Sequence, residues 1–393
     1  MKRVFDLTHW LVQHWMWWVR LGLLWLLVGQ IAPPPQRVFP QPMRTVEAAQ
    51  PHVCVHTELI NEPDEWKIQH SLDMVREMGA STIVEFFPWA YLQPGENTFN
   101  WAQADKIVKH AQQNGIRIIA RMGLVPGWVQ PEDTQFTLNT LPESAFDDFA
   151  AFVAAFAARY AGTIDHLIIW NEPNLAFEWG FQLEGLDPAY YTRLLKAVYA
   201  PVHAANPDVI ILAGALAPTL EPAGSPNGLN DVLYLEGMYA AGAGAYFDAL
   251  AVHTYGFEHP AMMTPEPGVL NFRRVELLRA MMVRYGDAEK AVMITESGWN
   301  DNARWVRGVR PSQRVAYTLD ALELVETAWD WGETMCLWIF RYPRDHGNYR
   351  DNFTLVTSEF QPKPIYYAVQ AYARGWALDD TRWLPPPEET LPQ

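Results

Sequence analysis

Between His52 and Phe340 short β-branched runs alternate with longer amphipathic ones at intervals of about 30 to 45 residues, and few architectures bury that rhythm. Eight strand-like runs are read: His52 to Thr57, Thr82 to Phe87, Arg117 to Met122, Leu167 to Trp170, Val209 to Ala213, Ala249 to His253, Ala291 to Thr295 and Thr334 to Phe340. Helical stretches fill the gaps. The first runs from Glu65 to Met78 and stops at Gly79, as a C-cap should. A second opens near Trp101 and closes at Gly115. In the third, Phe146, Phe149, Val153, Phe156 and Tyr160 fall at three-to-four spacing and line one face, with Pro142 and Glu143 suited to its first turn. Others span Pro188 to Ala205, Asp231 to Ala241, Phe272 to Tyr285, Ser312 to Trp331 and Pro364 to Arg374.

Eight strands with eight helices predict an α/β protein with a single (β/α)₈ TIM barrel, over residues 51–378. An open doubly wound sheet is the competitor, but no glycine-rich phosphate loop follows the first strand. The 393 residues, 49% hydrophobic, suffice for one such barrel. The net charge of −16, from 45 acidic against 29 basic residues, repels polyanions, so nucleic acid is excluded as a partner. Two cysteines, Cys54 and Cys336, exclude a disulfide-rich scaffold and a Cys-rich zinc site; lying in apolar runs, they are read as buried thiols.

Ahead of the barrel, Lys2, Arg3 and Arg20 precede the apolar run Leu21 to Ala32, which has the length of a signal-peptide core and is shorter than a membrane span. No clean small-x-small cleavage site follows, and five tryptophans precede residue 26. Residues 1–32 are therefore expected to be an export segment, either a cleaved signal peptide or a signal-anchor that associates with the membrane. The protein is expected outside the cytoplasm. Residues 33–50 are read as a Pro-rich linker and 379–393 as a Pro-rich tail.

Polar residues that end barrel strands should converge on one pocket. Strand one ends near His56, strand three at Arg121, strand four at Asn171 and Glu172, strand six at His253 and Tyr255, strand seven at Glu296, and strand eight at Trp338. Such a set suits a polyol, bound by hydrogen bonds and by stacking. Two carboxylates facing each other at strand mouths are, in addition, the minimal apparatus for glycosidic cleavage.

Trp170-Asn171-Glu172-Pro173-Asn174 and Thr295-Glu296-Ser297-Gly298-Trp299 resemble the strand-four and strand-seven motifs of the retaining (β/α)₈ glycoside hydrolases of clan A. The form is most like that of the family 39, β-xylosidase-like group. Gln93-Pro94, Pro126-Gly127-Trp128, His253-Thr254-Tyr255 and Lys363-Pro364 agree in order, and the resemblance covers roughly residues 52–376. It implies that Glu172 is the acid/base and Glu296 the nucleophile, with a covalent glycosyl-enzyme between two displacements. It also implies that Asn171 bonds the sugar's 2-hydroxyl, that Tyr255 bonds the nucleophile and that Trp338 floors the sugar site; His253, Arg121 and His56 complete the substrate-binding set. A carbohydrate, with no cofactor or metal, is the expected ligand. Retention requires the carboxyls about 5 to 5.5 Å apart, where the negative Glu296 is expected to raise the pKa of Glu172.

Rival readings are a metal-dependent TIM-barrel enzyme and a non-catalytic carbohydrate-binding barrel. No His-x-His or HExxH element supports the first, and the presence of both glutamates argues against the second. Trp128, Trp179, Trp299 and Trp305 are candidate sugar subsites. Glu58, Glu178 and Glu184 read as solvated loop charges, and Asp345 and His346 as loop polar residues. Specificity lies in loops without periodicity; exo-action on a β-xyloside or a related plant-type sugar is expected.

Overall fold

A computed structural model describes residues 10, 14–25, 37–130, 139–180 and 186–377. The chain divides into two units, Met1–Pro40 and Gln41–Gln393. In the first, residues 14–25 are helical, and Trp15, Trp17, Trp18 and Trp25 are all exposed. Among the described residues no helix is long and apolar enough to cross a membrane. The remainder of the expected export segment, the first four linker residues and the Pro-rich tail lie outside the described residues.

The second unit is a closed barrel of eight parallel strands in sequential order. They are β1 (Val53–His56), β2 (Thr82–Pro88), β3 (Arg117–Gly123), β4 (His166–Ile169), β5 (Ile210–Leu216), β6 (Ala249–Tyr255), β7 (Val292–Gly298) and β8 (Gly332–Leu337). The expected single (β/α)₈ barrel is thus the fold. Around it lie α1 (Glu65–Met78), α2 (Ala102–Gln113), α3 (Phe146–Arg159), α4 (Pro188–Ala205), α5 (Asp231–Ala240), α6 (Val275–Arg284), α7 (Pro311–Ala328) and α8 (Pro364–Ala373). Helix α1 ends where Gly79 takes φ 90°, a left-handed conformation that favours glycine.

Alternation along each strand builds two cores. Outward residues such as Val55, Ile83, Ile118 and Leu250 join the helices in the large cluster, whereas Cys54, Val84, Ile119, Ile168, Ala251 and Met293 fill the barrel interior. The phenylalanines of α3 supply part of the outer layer, with Phe149, Phe152 and Phe156 almost wholly buried. Residues from Gln41 onward, expected as linker, are tied to the barrel instead. The Arg44 amide donates to the Gln113 carbonyl at 2.8 Å, the Arg44 guanidinium pairs with Asp73, and Ala49 donates to the Ala373 carbonyl at 2.7 Å.

Cys54 and Cys336 are not thiols but a disulfide across 282 residues. The reason is topological: closing the barrel makes the first and last strands neighbours, with Cys54 opposite Cys336 in register and both side chains pointing inward. Sequence spacing alone carries no sign of that pairing.

Candidate active site

At the carboxyl ends of the strands the inner face changes from apolar to polar and opens into a cavity of about 500 Å³. His56, Arg121, Asn171, Glu172, Tyr255, Glu296 and Trp338 all line it, so seven of the eight expected site residues converge there. His253 does not. It is 3% exposed, and its Nδ1 lies 2.7 Å from Glu172 Oε1 and 3.5 Å from Glu296 Oε2. It sits behind the carboxylates, where it orients them, rather than facing the cavity as a substrate-binding residue.

Irregular backbone delivers both glutamates. Trp170 and Glu172 adopt φ 77° and 44°, left-handed values that non-glycine residues seldom take. The chain leaves β4 sharply there: the Trp170 ring enters the core and donates from Nε1 to the Glu178 carbonyl at 3.1 Å, while Glu172 faces the cavity. On β7 the pairing with β6 shifts register between Val252 and His253, and the pairing with β8 between Ile294 and Ser297. Those shifts set Glu296 opposite His253.

Oxygen atoms of Glu172 and Glu296, together with a His253 nitrogen, all lie within 4.8 Å of one another. Tyr255 Oη donates to Glu296 Oε2 at 2.9 Å. Arg121 Nη1 spans Asn171 Oδ1 at 2.9 Å and Glu296 Oε1 at 3.3 Å. His56 donates from Nδ1 to the Thr57 carbonyl at 2.9 Å, which leaves Nε2 as an acceptor, buried, unbonded and 3.8 Å from Glu296 Oε1. The ring centroid of His56 lies 4.5 Å from that of Trp338, whose Nε1 donates to Tyr342 Oη at 3.1 Å.

Burial dominates the electrostatics. It pushes the Glu172 carboxyl up to about 7, against the Arg121 guanidinium, which favours ionisation. The leading cause is therefore desolvation, and not the charge of Glu296 as expected. Glu296 is raised too, by burial first; His253, Arg121 and the Tyr255 hydrogen bond hold it down, whereas Glu172 pushes it up. Burial lowers His253 to about 4, so its ring is neutral near pH 7. His56 lies well below its usual range for the same reason, assisted by Arg121 and His253.

Glu172, His253 and Glu296 are also the described cluster able to ligate a metal ion. An ion there would meet the Arg121 guanidinium already against Glu296, and Tyr255 already holds the other oxygen of that carboxylate. The donor set fits a cation poorly.

None of the four loop tryptophans lines the cavity. Trp179 and Trp299 are at most 1% exposed, Trp128 donates to the Gln93 carbonyl at 3.0 Å, and Trp305 stacks on Tyr349 with centroids 5.0 Å apart. Phe177 and Tyr349, which no periodicity marked, line the cavity with 54% and 39% of their surface exposed. Glu58, Glu178 and His346 line it too, while Glu184 lies outside the described residues.

The family model described as "Cellulase (glycosyl hydrolase family 5)" matches residues 47–334. No curated protein matches the chain. Solved structures share the fold. A family 39 glycoside hydrolase from Bacteroides cellulosilyticus WH2 superposes with TM-score 0.64 at 21% identity, over 83% of this chain and 64% of that one, so the chain spans under two thirds of that relative. A monomeric β-xylosidase from Caulobacter crescentus CB15 gives 0.58 at 18%, over 83% and 70%. A GH5_18 protein from Streptomyces cattleya, solved with GlcNAc, gives 0.60 at 16%, over 84% and 82%. With most of its barrel matched and two glutamates opposed at the strand ends, the chain is a glycoside hydrolase that belongs to the cellulase family, glycosyl hydrolase family 5.

Proposed function

We propose that the protein hydrolyses β-linked glycosides with retention of anomeric configuration, by double displacement between Glu172 and Glu296. The observation that carries this reading is that an oxygen of Glu172 lies within 4.8 Å of an oxygen of Glu296, which suits the closely set carboxyls of retention rather than the gap of about 6.5 to 9.5 Å that inversion leaves for its water. Glu296, which accepts from Tyr255 Oη and lies 3.3 Å from Arg121 Nη1, attacks the anomeric carbon as the carboxylate. Glu172, raised to about 7, holds the proton that the leaving oxygen takes. In the second step Glu172 removes a proton from water as the ester to Glu296 is cleaved. His253 fixes the rotamers of both; Arg121 and Asn171 face the sugar beside Glu296, and Trp338 offers an aromatic face.

Exo-action on a short β-xyloside or a related plant-type sugar is the proposed specificity. In its support, loop residues Glu58, Asn61, Tyr342 and Arg350 line the cavity together with the strand-end residues, and one similar structure is a β-xylosidase. We place the protein outside the cytoplasm, secreted or held at the membrane by its N-terminal segment. The Cys54–Cys336 disulfide suits an oxidising compartment, and the exposed tryptophans of residues 14–25 suit a lipid interface.

Hydrolysis of a panel of aryl β-glycosides by wild type and by Glu296→Ala tests the assignment. Turnover of at least one glycoside by wild type and its loss in the variant are expected; equal rates, including zero for both on every sugar, would overturn it.

A further inference from the structure

A carboxylate that the chemistry above does not use lies beneath one wall of the cavity. Glu85, on β2, is wholly buried and meets only neutral partners: the Thr57 hydroxyl at 2.5 Å and the Leu59 amide at 2.9 Å donate to Oε2, and the Ile60 amide donates to Oε1 at 3.0 Å. Burial pushes the carboxyl up to about 7 and the charge of Glu58 adds to this, while the three hydrogen bonds oppose them. A buried acid without a cation costs stability. What it fixes is the chain that leaves β1.

That chain makes one 3₁₀ turn, Leu59–Asn61, closed where the Glu62 amide donates to the Leu59 carbonyl at 3.0 Å. Glu85 takes the first two amides of the turn. At the other end Gln103 of α2 donates to the Glu62 carbonyl at 2.6 Å, and Arg341 Nη2 donates to Glu62 Oε2 at 2.6 Å, with both partners of that ion pair buried. Residues three apart eclipse in a 3₁₀ turn, so Glu58 and Asn61 share a face while Leu59 and Ile60 enter the core. The shared face lines the cavity, and Asn61 Nδ2 donates to Glu58 Oε1 at 2.8 Å. The turn thus presents a carboxylate and an amide as one unit, held at both ends by buried groups.

We infer that Glu85 is a positioning residue for substrate binding: it fixes the turn after β1 so that Glu58 and Asn61 meet the sugar together. The Glu58 carboxylate accepts from sugar hydroxyls and the Asn61 amide donates or accepts, which suits two neighbouring hydroxyls of one ring. In Glu85→Gln one carboxylate oxygen becomes an NH₂ group. Thr57 can turn to the Val84 carbonyl, 3.1 Å away, but one of the two backbone amides then faces a donor and loses its acceptor, so the turn shifts. The inference rests on the glycosidase reading above, since it places a sugar in the cavity.

The test measures kcat, KM and the thermal midpoint on 4-nitrophenyl β-xyloside for wild type, Glu85→Gln, the double variant Glu58→Ala/Asn61→Ala and the triple variant, with calorimetric titration of phenyl 1-thio-β-xyloside alongside. Glu85→Gln is expected to raise KM about fivefold or more and to leave kcat within about threefold. In the triple variant it should add less than about twofold to KM, because the groups it positions are then gone. A KM within about threefold of wild type in Glu85→Gln, even with a lowered midpoint, would make Glu85 a residue of the fold alone and overturn the inference. The full rise repeated in the triple variant would overturn it too. Should Glu85→Gln fail to fold, Glu85→Asp, which keeps the charge and shortens the reach, is read by the same criteria. If wild type does not hydrolyse the xyloside, the glycosidase reading loses its support on this substrate and the titrations decide, by the same factors in Kd; no binding by wild type would overturn the inference as well.

Discussion

Two adjoining levels of the barrel interior are built on the same strands and differ in almost every physical respect. At the lower level stand Cys54, Ile119, Ala251 and Cys336, apolar or disulfide-bonded and sealed from water. Two residues further along those strands stand His56, Arg121, His253 and Trp338, which surround the carboxylates of Glu172 and Glu296. Alternation points both sets inward; what separates them is depth. The lower level fixes the strands to one another, and the upper one can then hold polar groups with raised or lowered pKa values that a looser frame would let water relax. Stability and chemistry are thus placed in successive layers of one structure.

Mutations can separate the layers. The largest effect expected is on the upper level: Glu296→Ala should lower kcat by about 10⁴-fold or more, measured on an activated aryl glycoside, without lowering the thermal midpoint. The converse belongs to the lower level. Replacing both Cys54 and Cys336 by Ala should cost about 4 kcal/mol in denaturant unfolding, because the closed loop is long, and should leave kcat/KM within about threefold. A double variant that kept its stability would remove the distinction between the layers.

A smaller effect links the two. The folded pKa of Glu172, about 7, lies above its unfolded value, so burying this carboxyl costs nothing below about pH 4.5 and costs progressively more as pH rises to about 7, where it is ionised in both states. Glu172→Gln should therefore stabilise the protein by up to about 3 kcal/mol at pH 8 and hardly at all at pH 4, as read by melting curves at the two values. The same pKa should end the alkaline limb of kcat/KM in wild type near pH 7. The smallest change expected is from Tyr255→Phe, which removes one hydrogen bond to Glu296 and should lower kcat about 10- to 50-fold with stability little altered.

Much of this arrangement is legible in the sequence, and the limits have physical causes. Periodicity places α1 at Glu65–Met78 and α4 at Pro188–Ala205, the bounds the structure gives. It is less apt at strand ends: β8 ends at Leu337 rather than Phe340, because apolar residues extend past the last ladder bond, and β5 continues to Leu216 through a register shift between Gly214 and Leu216. The motifs around Glu172 and Glu296 bring the pair to one cavity once the strands are counted. Depth within that cavity is invisible to such counting, so His253 is read as a ligand-facing residue when it stands behind the carboxylates. The disulfide is missed because its partners are adjacent only after the barrel closes. Glu178 looks like a solvated charge because its half-buried place in the cavity wall depends on two tryptophans folding beneath a loop that has no period of its own.

In the proposed double displacement Glu172 and Glu296, one holding a proton and one ionised, act on a single anomeric carbon from opposite sides. The most direct measurement is the anomeric configuration of the first-formed sugar, followed by proton NMR during hydrolysis of an aryl β-glycoside before mutarotation. Double displacement releases the β-anomer first; an α-anomer appearing first would mean inversion and rule the mechanism out.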